Sequence, residues 1–503
     1  MQFESTSQQA TENLAKSLAL FARPGFVILL TGELGSGKST FARAFIKALD
    51  NSGRDFDVPS PSFALIQTYV NTRVPVAHVD LYRLHYPAEA QELGLEELSK
   101  AYLILMEWPQ DQFEHLSPDL LKLTFSGSGE HRTIAGSASG AWVRVLRRNT
   151  EIESFVKAEG VNPETRIFLD GDASSRRYEK VIYKGRSVIL MDMPQRPDGP
   201  PVKNGEPYSA VAHLAENIRA VVAVNDQLCA MGYGAPQIYA CDTAHGLALI
   251  EDLGGAVFAT MLRRGENMEA PMRAAVEVLA DMAMRDWPST AKVRGGKDHI
   301  LPHYDQEAQL IEVDLLPSWF HLHVHKIKAP EALNEGFAQI WRKLLPFAVA
   351  ERPVWVMRDY HSPNLIWIPQ REGTRRVGII DSQDAVLGHP AYDLASMLQD
   401  ARVDIPFEFA DRLYAYYVSL RKVEGNFDEA AFSRAYAILG AQRTTKILGI
   451  FARLNMRDGK PQYLQHMPRV SRYLKRNLED PTLAELKQWY ERHLPAALNV
   501  EAA

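Results

Sequence analysis

A buried-strand pattern that runs into a glycine-rich octapeptide and resumes as a helix can fold in few ways, and residues 26–46 form such a unit. After the Pro24-Gly25 break, Phe26-Val27-Ile28-Leu29-Leu30 reads as a strand. Gly32-Glu33-Leu34-Gly35-Ser36-Gly37-Lys38-Ser39 follows, and Phe41-Ala42-Arg43-Ala44-Phe45-Ile46 has helical spacing. In that context the loop cradles phosphates. Gly32, Gly35, Ser36 and Gly37 let backbone N–H groups wrap the anion, Lys38 reaches its terminal phosphates, and the Ser39 hydroxyl is placed to ligate magnesium at the helix N-terminus.

Two further runs end in carboxylates, Ala77-His78-Val79-Asp80 and Leu103-Ile104-Leu105-Met106-Glu107-Trp108-Pro109. A strand-terminal acid opposite such a loop holds magnesium or its water, so Glu107 is the candidate metal ligand and Asp80 a second acidic candidate. Residues 4–22 carry apolar positions at helical spacing. Small residues at 126–129 and 136–140 read as turns closing the domain, Trp142–Leu146 as a last strand, and a boundary is expected near residue 150.

Gly32 to Thr40, Ser60-Pro61-Ser62-Phe63, His78-Val79-Asp80-Leu81-Tyr82-Arg83 and Glu107-Trp108-Pro109 together resemble the TsaE family over about residues 5–148. That family is the small P-loop ATPase subunit of the machinery that makes threonylcarbamoyladenosine in tRNA. The resemblance implies Lys38, Ser39 and Thr40 at nucleotide and metal, and Asp80 and Glu107 as catalytic in ATP hydrolysis. It also implies other subunits of the threonylcarbamoylation machinery as partners, with tRNA met only indirectly. An independent P-loop nucleotidase is the alternative.

The second half centres on Arg358-Asp359-Tyr360-His361-Ser362-Pro363-Asn364 and on Val377-Gly378-Ile379-Ile380-Asp381. Phosphoryl transfer to a hydroxyl needs one carboxylate beside the acceptor and oxygen ligands for magnesium, and Asp359, Asn364 and Asp381 supply them in that order. Upstream, Asp172-Ala173-Ser174-Ser175-Arg176-Arg177-Tyr178 reads as a hairpin over the nucleotide phosphates, so Ser174, Ser175, Arg176 and Arg177 are candidate contacts. Glu251-Asp252-Leu253-Gly254 reads as a hinge whose backbone from Glu251 to Leu253 would hold adenine. Beyond residue 271 the patterns are mostly helical. His321, His323 and His325 alternate with no Cys or paired carboxylate to complete a metal site, and read as solvated or satisfied side chains.

These landmarks resemble the aminoglycoside phosphotransferase-like kinases over residues 165–498, with Met357-Arg358 in place of the family's His-Gly. Within them the Asp-Ala-Ser-Ser-Arg-Arg-Tyr hairpin, the Glu-Asp-Leu-Gly hinge and the tail Gly449-Ile450-Phe451-Ala452-Arg453-Leu454 are similar to the anomeric kinases of N-acetylmuramate and N-acetylglucosamine. The resemblance implies a bifunctional ATP- and Mg2+-dependent chain. Its expected form is an α/β P-loop NTPase domain (1–150) followed by a bilobal α+β protein-kinase-like domain (151–503), with an N-lobe over about 165–255 and a helical C-lobe over about 256–503. Asp359 is implied as base and an amino sugar as substrate. Met191 stands where such kinases place a phosphate-pairing lysine, leaving Arg176, Arg177 or Lys184 as substitutes. Two other readings stay open: a kinase of an aminoglycoside or amino alcohol, and a catalytically dead nucleotide-binding module.

The net charge of -6 argues against a general nucleic-acid coat, and two cysteines, Cys229 and Cys241, against a disulfide framework. With no apolar run near the ~20 residues of a membrane helix, a soluble cytoplasmic protein without membrane partners is expected.

Overall fold

The computed structural model describes residues 2–50, 56–84, 89, 92–128, 131–169, 176–195, 199–294 and 296–501. The chain packs as two compact units, Met1–Leu190 and Met191–Ala503. The expected hairpin positions Ser174 and Ser175 lie outside the described residues.

The first unit is built on a seven-stranded sheet in the order β1-β7-β6-β2-β5-β4-β3. Its strands are β1 Gln2–Ser5, β2 Val27–Gly32, β3 Ile66–Tyr69, β4 Val76–Asp80, β5 Leu103–Glu107, β6 Leu120–Ser128 and β7 His131–Ala138. β2 runs parallel to β5 and β6, and β4 parallel to β5, whereas β7 is antiparallel to β6 and β1, and β1 and β3 form the two edges. β2, β4 and β5 are almost wholly buried, as continuous apolar runs in the middle of a parallel sheet must be. Their carboxyl ends share one edge, where Asp80 pairs in register with Glu107 and Leu30 with Glu107.

Two expectations for this unit are corrected. The small-residue stretch 136–138 is the end of β7, whose register Gly136↔Leu123 and Ser137↔Lys122 completes a hairpin with β6. Trp142–Leu146 is helical, part of the helix Ala141–Ala158, so residue 150 falls inside a continuous element. Asp119 accepts the Ala141 N–H at 2.6 Å, and the buried positions Trp142, Val145, Asn149, Ile152 and Val156 repeat every three or four residues. The segment after this helix packs with the first unit for a specific reason. Arg166, almost fully buried, donates to Glu179 at 2.6 and 3.1 Å and to Asn149 at 2.8 Å, while Arg73 covers the Phe168 ring and Arg177 the Phe21 ring.

In the second unit the strands Ile238–Asp242 and Leu247–Glu251 pair antiparallel and lead into helices. The mostly helical pattern expected beyond residue 271 is present as helices that include Glu269–Met284, Glu331–Leu344, Ala391–Leu398, Phe407–Arg421 and Glu429–Met456. The last is capped by Asp428, which accepts the Ala431 N–H at 2.9 Å. Its residues 437–445 are buried without interruption, so it crosses the core instead of lying on it. At Gly449 an added Cβ would sit 2.4 Å from the Leu315 carbonyl carbon, so only glycine lets this helix approach so closely. Among the described residues no helix is long and apolar enough to cross a membrane.

Candidate active sites

In the first unit, three strand ends and one helix start converge. Gly32, Gly35 and Gly37 all have positive φ (137°, 74° and 108°), which the loop needs in order to turn from β2 into the helix Lys38–Lys47. At Gly32 a side chain is excluded outright, because its Cβ would meet the Phe125 carbonyl oxygen at 2.3 Å. Ser36 and Lys38 are buried, and Thr40 lies in the first helical turn. Lys38 Nζ donates to the carbonyls of Gly32 and Glu33 at 2.8 Å and lies 3.7 Å from the Trp108 ring centre. Burial lowers its pKa, against the opposing charges of Glu107 and Asp80. The Ser39 hydroxyl donates to Glu107 Oε2 at 2.7 Å, placing the two candidate metal ligands side by side. Asp80 accepts from Ser60 at 2.5 Å, Ser62 at 2.7 Å and the Tyr82 N–H at 2.9 Å, which explains why the Ser-Pro-Ser segment accompanies it.

The second unit assembles the other set. The hairpin of Leu365–Trp367 with Val377–Ile379, in register Leu365↔Ile379, carries Asn364 and Asp381 to one end, and the Ile380 N–H donates to the Asn364 carbonyl at 3.0 Å. Asn364 Nδ2 donates to the Asp359 carbonyl at 3.0 Å, which leaves the carboxamide oxygen as the candidate metal ligand. Two buried carboxylates grip the 357–362 segment, one in the helix Ala391–Leu398 and one just past its end. Asp393 accepts the N–H groups of Met357 (2.6 Å) and Arg358 (2.9 Å), and Asp400 accepts the N–H and hydroxyl of Ser362 (2.8 and 2.5 Å). Burial pushes the Asp393 carboxyl up to about 7, with the Asp359 charge adding to it. Burial also works against ionisation of Asp359, yet His361, Lys446, Arg443 and Arg358 together hold its carboxyl below the usual range. Burial lowers the His361 pKa, against the opposing charges of Asp400 and Asp359, and its Nε2 lies 3.9 Å from Asp359.

A cavity opens on Asp359 and His361, and its charged lining is mainly cationic: Arg358, Arg402, Arg443, Lys446 and Arg453 against Glu312, Asp359 and Asp384. Glu312 serves both Arg358 and Lys446, the latter at 2.9 Å. Asn364 and Asp381 are outside this lining.

The remaining sequence candidates are placed as follows. Glu251 binds Arg371 at 2.5 Å through its side chain, and Leu253 packs close to Gly378. Arg176 precedes the strand Arg177–Tyr183 and is partly buried. Arg177 is engaged by Glu179 at 2.8 Å and by the Phe21 ring at 3.6 Å. Met191 is buried in the strand Arg186–Asp192, and Lys184 is exposed beside the Tyr183 ring. His321 is buried with Nδ1 3.2 Å from the Ile327 carbonyl, and among the described residues no cluster of three or more His, Cys, Asp or Glu is placed to hold a metal.

The chain matches two family models in succession. Residues 5–134 match threonylcarbamoyl adenosine biosynthesis protein TsaE, and residues 165–433 match the phosphotransferase enzyme family. The chain belongs to the phosphotransferase enzyme family. It is a fusion, with a TsaE-family P-loop domain preceding the kinase-like one. An N-acetylmuramate/N-acetylglucosamine kinase of Caulobacter vibrioides is 38% identical over 352 residues, covering 68% of this chain and 95% of its own. Its namesake in Neisseria meningitidis is 33% identical, covering 66% and 91%. The tRNA threonylcarbamoyladenosine biosynthesis protein TsaE of Rickettsia conorii is 32% identical over 177 residues, covering 35% of this chain and 97% of its own. Both halves of the fusion are therefore ATP-using enzyme folds.

Several contacts at these sites have no motif to announce them. His78 Nε2 meets Glu107 Oε1 at 3.0 Å, both side chains about 1% exposed, and Glu312 holds Arg358 from 46 residues away. Arg443 and Lys446 had one available signal: charged residues in the middle of a helix whose neighbours on every face are apolar or small.

Proposed function

We propose that the second unit phosphorylates the anomeric hydroxyl of an N-acetylated amino sugar, N-acetylmuramate or N-acetylglucosamine. The first unit hydrolyses ATP in the formation of tRNA threonylcarbamoyladenosine. The observation that carries the kinase reading is the cavity at Asp359, whose cationic lining suits a neutral or anionic acceptor and repels a polycationic aminoglycoside. Convergence of Asp359, Asn364 and Asp381 speaks against an inert module, which has no use for all three.

In this reading Asp359, kept ionised, accepts the proton of the sugar hydroxyl as its oxygen bonds to the γ-phosphorus and the bond to the ADP oxygen breaks. Arg358 and Asp393 position that carboxylate through the loop backbone. The oxygen donors of Asn364 and Asp381, and in the first unit Ser39 and Glu107, fit magnesium, which when bound neutralises phosphate charge. At the P-loop, the Lys38 ammonium exchanges the Gly32 and Glu33 carbonyls for phosphate oxygens, with Asp80 the second acid beside Glu107. Backbone groups from Glu251 to Leu253 hold adenine in the kinase unit. Partners are the other threonylcarbamoylation subunits, in the cytoplasm. Incubating the chain with magnesium-ATP and each sugar, and assaying for the 1-phosphate, tests the kinase. Phosphorylation of some other hydroxyl compound and neither sugar would falsify it.

A further inference from the structure

Arg443 is buried to 4% exposure in the helix Glu429–Met456, its Nη1 has no hydrogen-bond partner, and it faces the cavity that holds Asp359. A buried guanidinium nitrogen without a hydrogen-bond partner is costly, so such a group is retained where a ligand completes it. The carboxylates nearby are already engaged. Glu312 is taken by Arg358 and Lys446, Asp384 accepts the Ala215 N–H at 2.6 Å, and Asp400 caps the Ser362 turn. Asp359 is the proton acceptor. Arg443, Lys446, Ile450 and Arg453 recur at spacings of three and four residues, so a single helix face presents them to the cavity. Arg453 extends the stripe beside the Tyr208 ring, 5.2 Å from its centre, and its Nε is likewise buried and unpartnered.

We propose that Arg443, supported by Arg453, binds a carboxylate carried by the acceptor sugar and so sets a preference for an acidic amino sugar over its neutral counterpart. This rests on the amino-sugar reading above. Of the two sugars, N-acetylmuramate carries a lactyl carboxylate on the ring and N-acetylglucosamine a hydroxyl at the same carbon. A planar guanidinium at the end of a buried, helix-held side chain is suited to bidentate carboxylate binding, whereas a hydroxyl offers one weak acceptor.

The test compares three acceptors with the full chain and magnesium-ATP: N-acetylmuramate, its carboxyl methyl ester and N-acetylglucosamine. The unsubstituted chain should use the acid with kcat/KM at least about tenfold above the ester, as expected for one charge-assisted hydrogen-bonded contact. Arg443→Met should lose about 10- to 100-fold more on N-acetylmuramate than on N-acetylglucosamine, the excess falling mainly in KM, with Arg443→Lys intermediate. Equal use of acid and ester overturns the proposal, and so does an equal loss on both sugars, which would make Arg443 a positioning group for Asp359. If Arg443→Met does not fold, the acid-to-ester ratio of the unsubstituted chain decides alone. Activity on N-acetylglucosamine but not on N-acetylmuramate removes the carboxylate site and leaves the amino-sugar reading standing; activity on neither removes both.

Discussion

Arg358 sits at φ +65°, in the left-handed region, with its guanidinium buried against the Glu312 carboxylate and hydrogen-bonded to the Ala212 carbonyl at 2.8 Å. The wider kinase pattern has glycine there, for which this backbone is free of strain; here the ion pair holds an arginine in it. Asp381 is also left-handed, at φ +63°, so two of the non-glycine residues under backbone strain adjoin the chemistry.

Arg358→Gly should therefore destabilise the chain even though it relaxes the backbone. Relief of left-handed strain returns about 1–2 kcal/mol, while opening a buried pair costs about 3–5 kcal/mol. Urea unfolding should show a net loss of roughly 2 kcal/mol, and an unchanged midpoint would refute the role given to the pair.

Acid should unfold the second unit through Glu312. Burial opposes its ionisation, but Lys446 and Arg358 overcome this and lower its pKa to about 2, from 4.5. A carboxylate with a depressed folded-state pKa contributes stability that is complete above pH 4.5 and is lost as the pH falls toward 2. The contribution is about 3 kcal/mol. Glu312→Gln should unfold more easily at pH 7 and show a flatter stability profile between pH 4.5 and 2. A parallel profile for the two proteins would contradict this.

The two sets of site residues should separate by substitution. Lys38→Ala should cut ATP hydrolysis in the absence of sugar by at least about 100-fold and leave sugar phosphorylation unchanged. Asp359→Ala should do the reverse, lowering sugar phosphorylation by about 100- to 10,000-fold. Joint loss in either variant, with circular dichroism unchanged, would show that the assignments are not independent.

Gly449→Ala should cost about 1–3 kcal/mol, because the added methyl must displace the Leu315 backbone from the long helix. Thermal unfolding reads the shift, and an unaltered Tm would show that the helix can move away freely.

The octapeptide at Gly32, the strand-terminal acids Asp80 and Glu107, and the trio Asp359, Asn364 and Asp381 were readable from the chain alone. Each is set by short-range geometry: a turn that requires glycine, a strand that ends in a carboxylate, a loop closed by Pro363. The helices of the second unit were readable for the same reason, since their period lies within each segment. Tertiary structure decided what long-range packing controls. It made 136–138 a strand through pairing with β6, and 142–146 a helix through burial of Trp142 and a cap from Asp119. It also brought Arg443 and Lys446, from a helix far along the chain, to Asp359. Charge and burial at a site are sums over neighbours brought together by folding, and no local pattern records that sum. The groups proposed to react were therefore legible in the sequence, while the cationic cavity beside Asp359 became visible only in the folded chain.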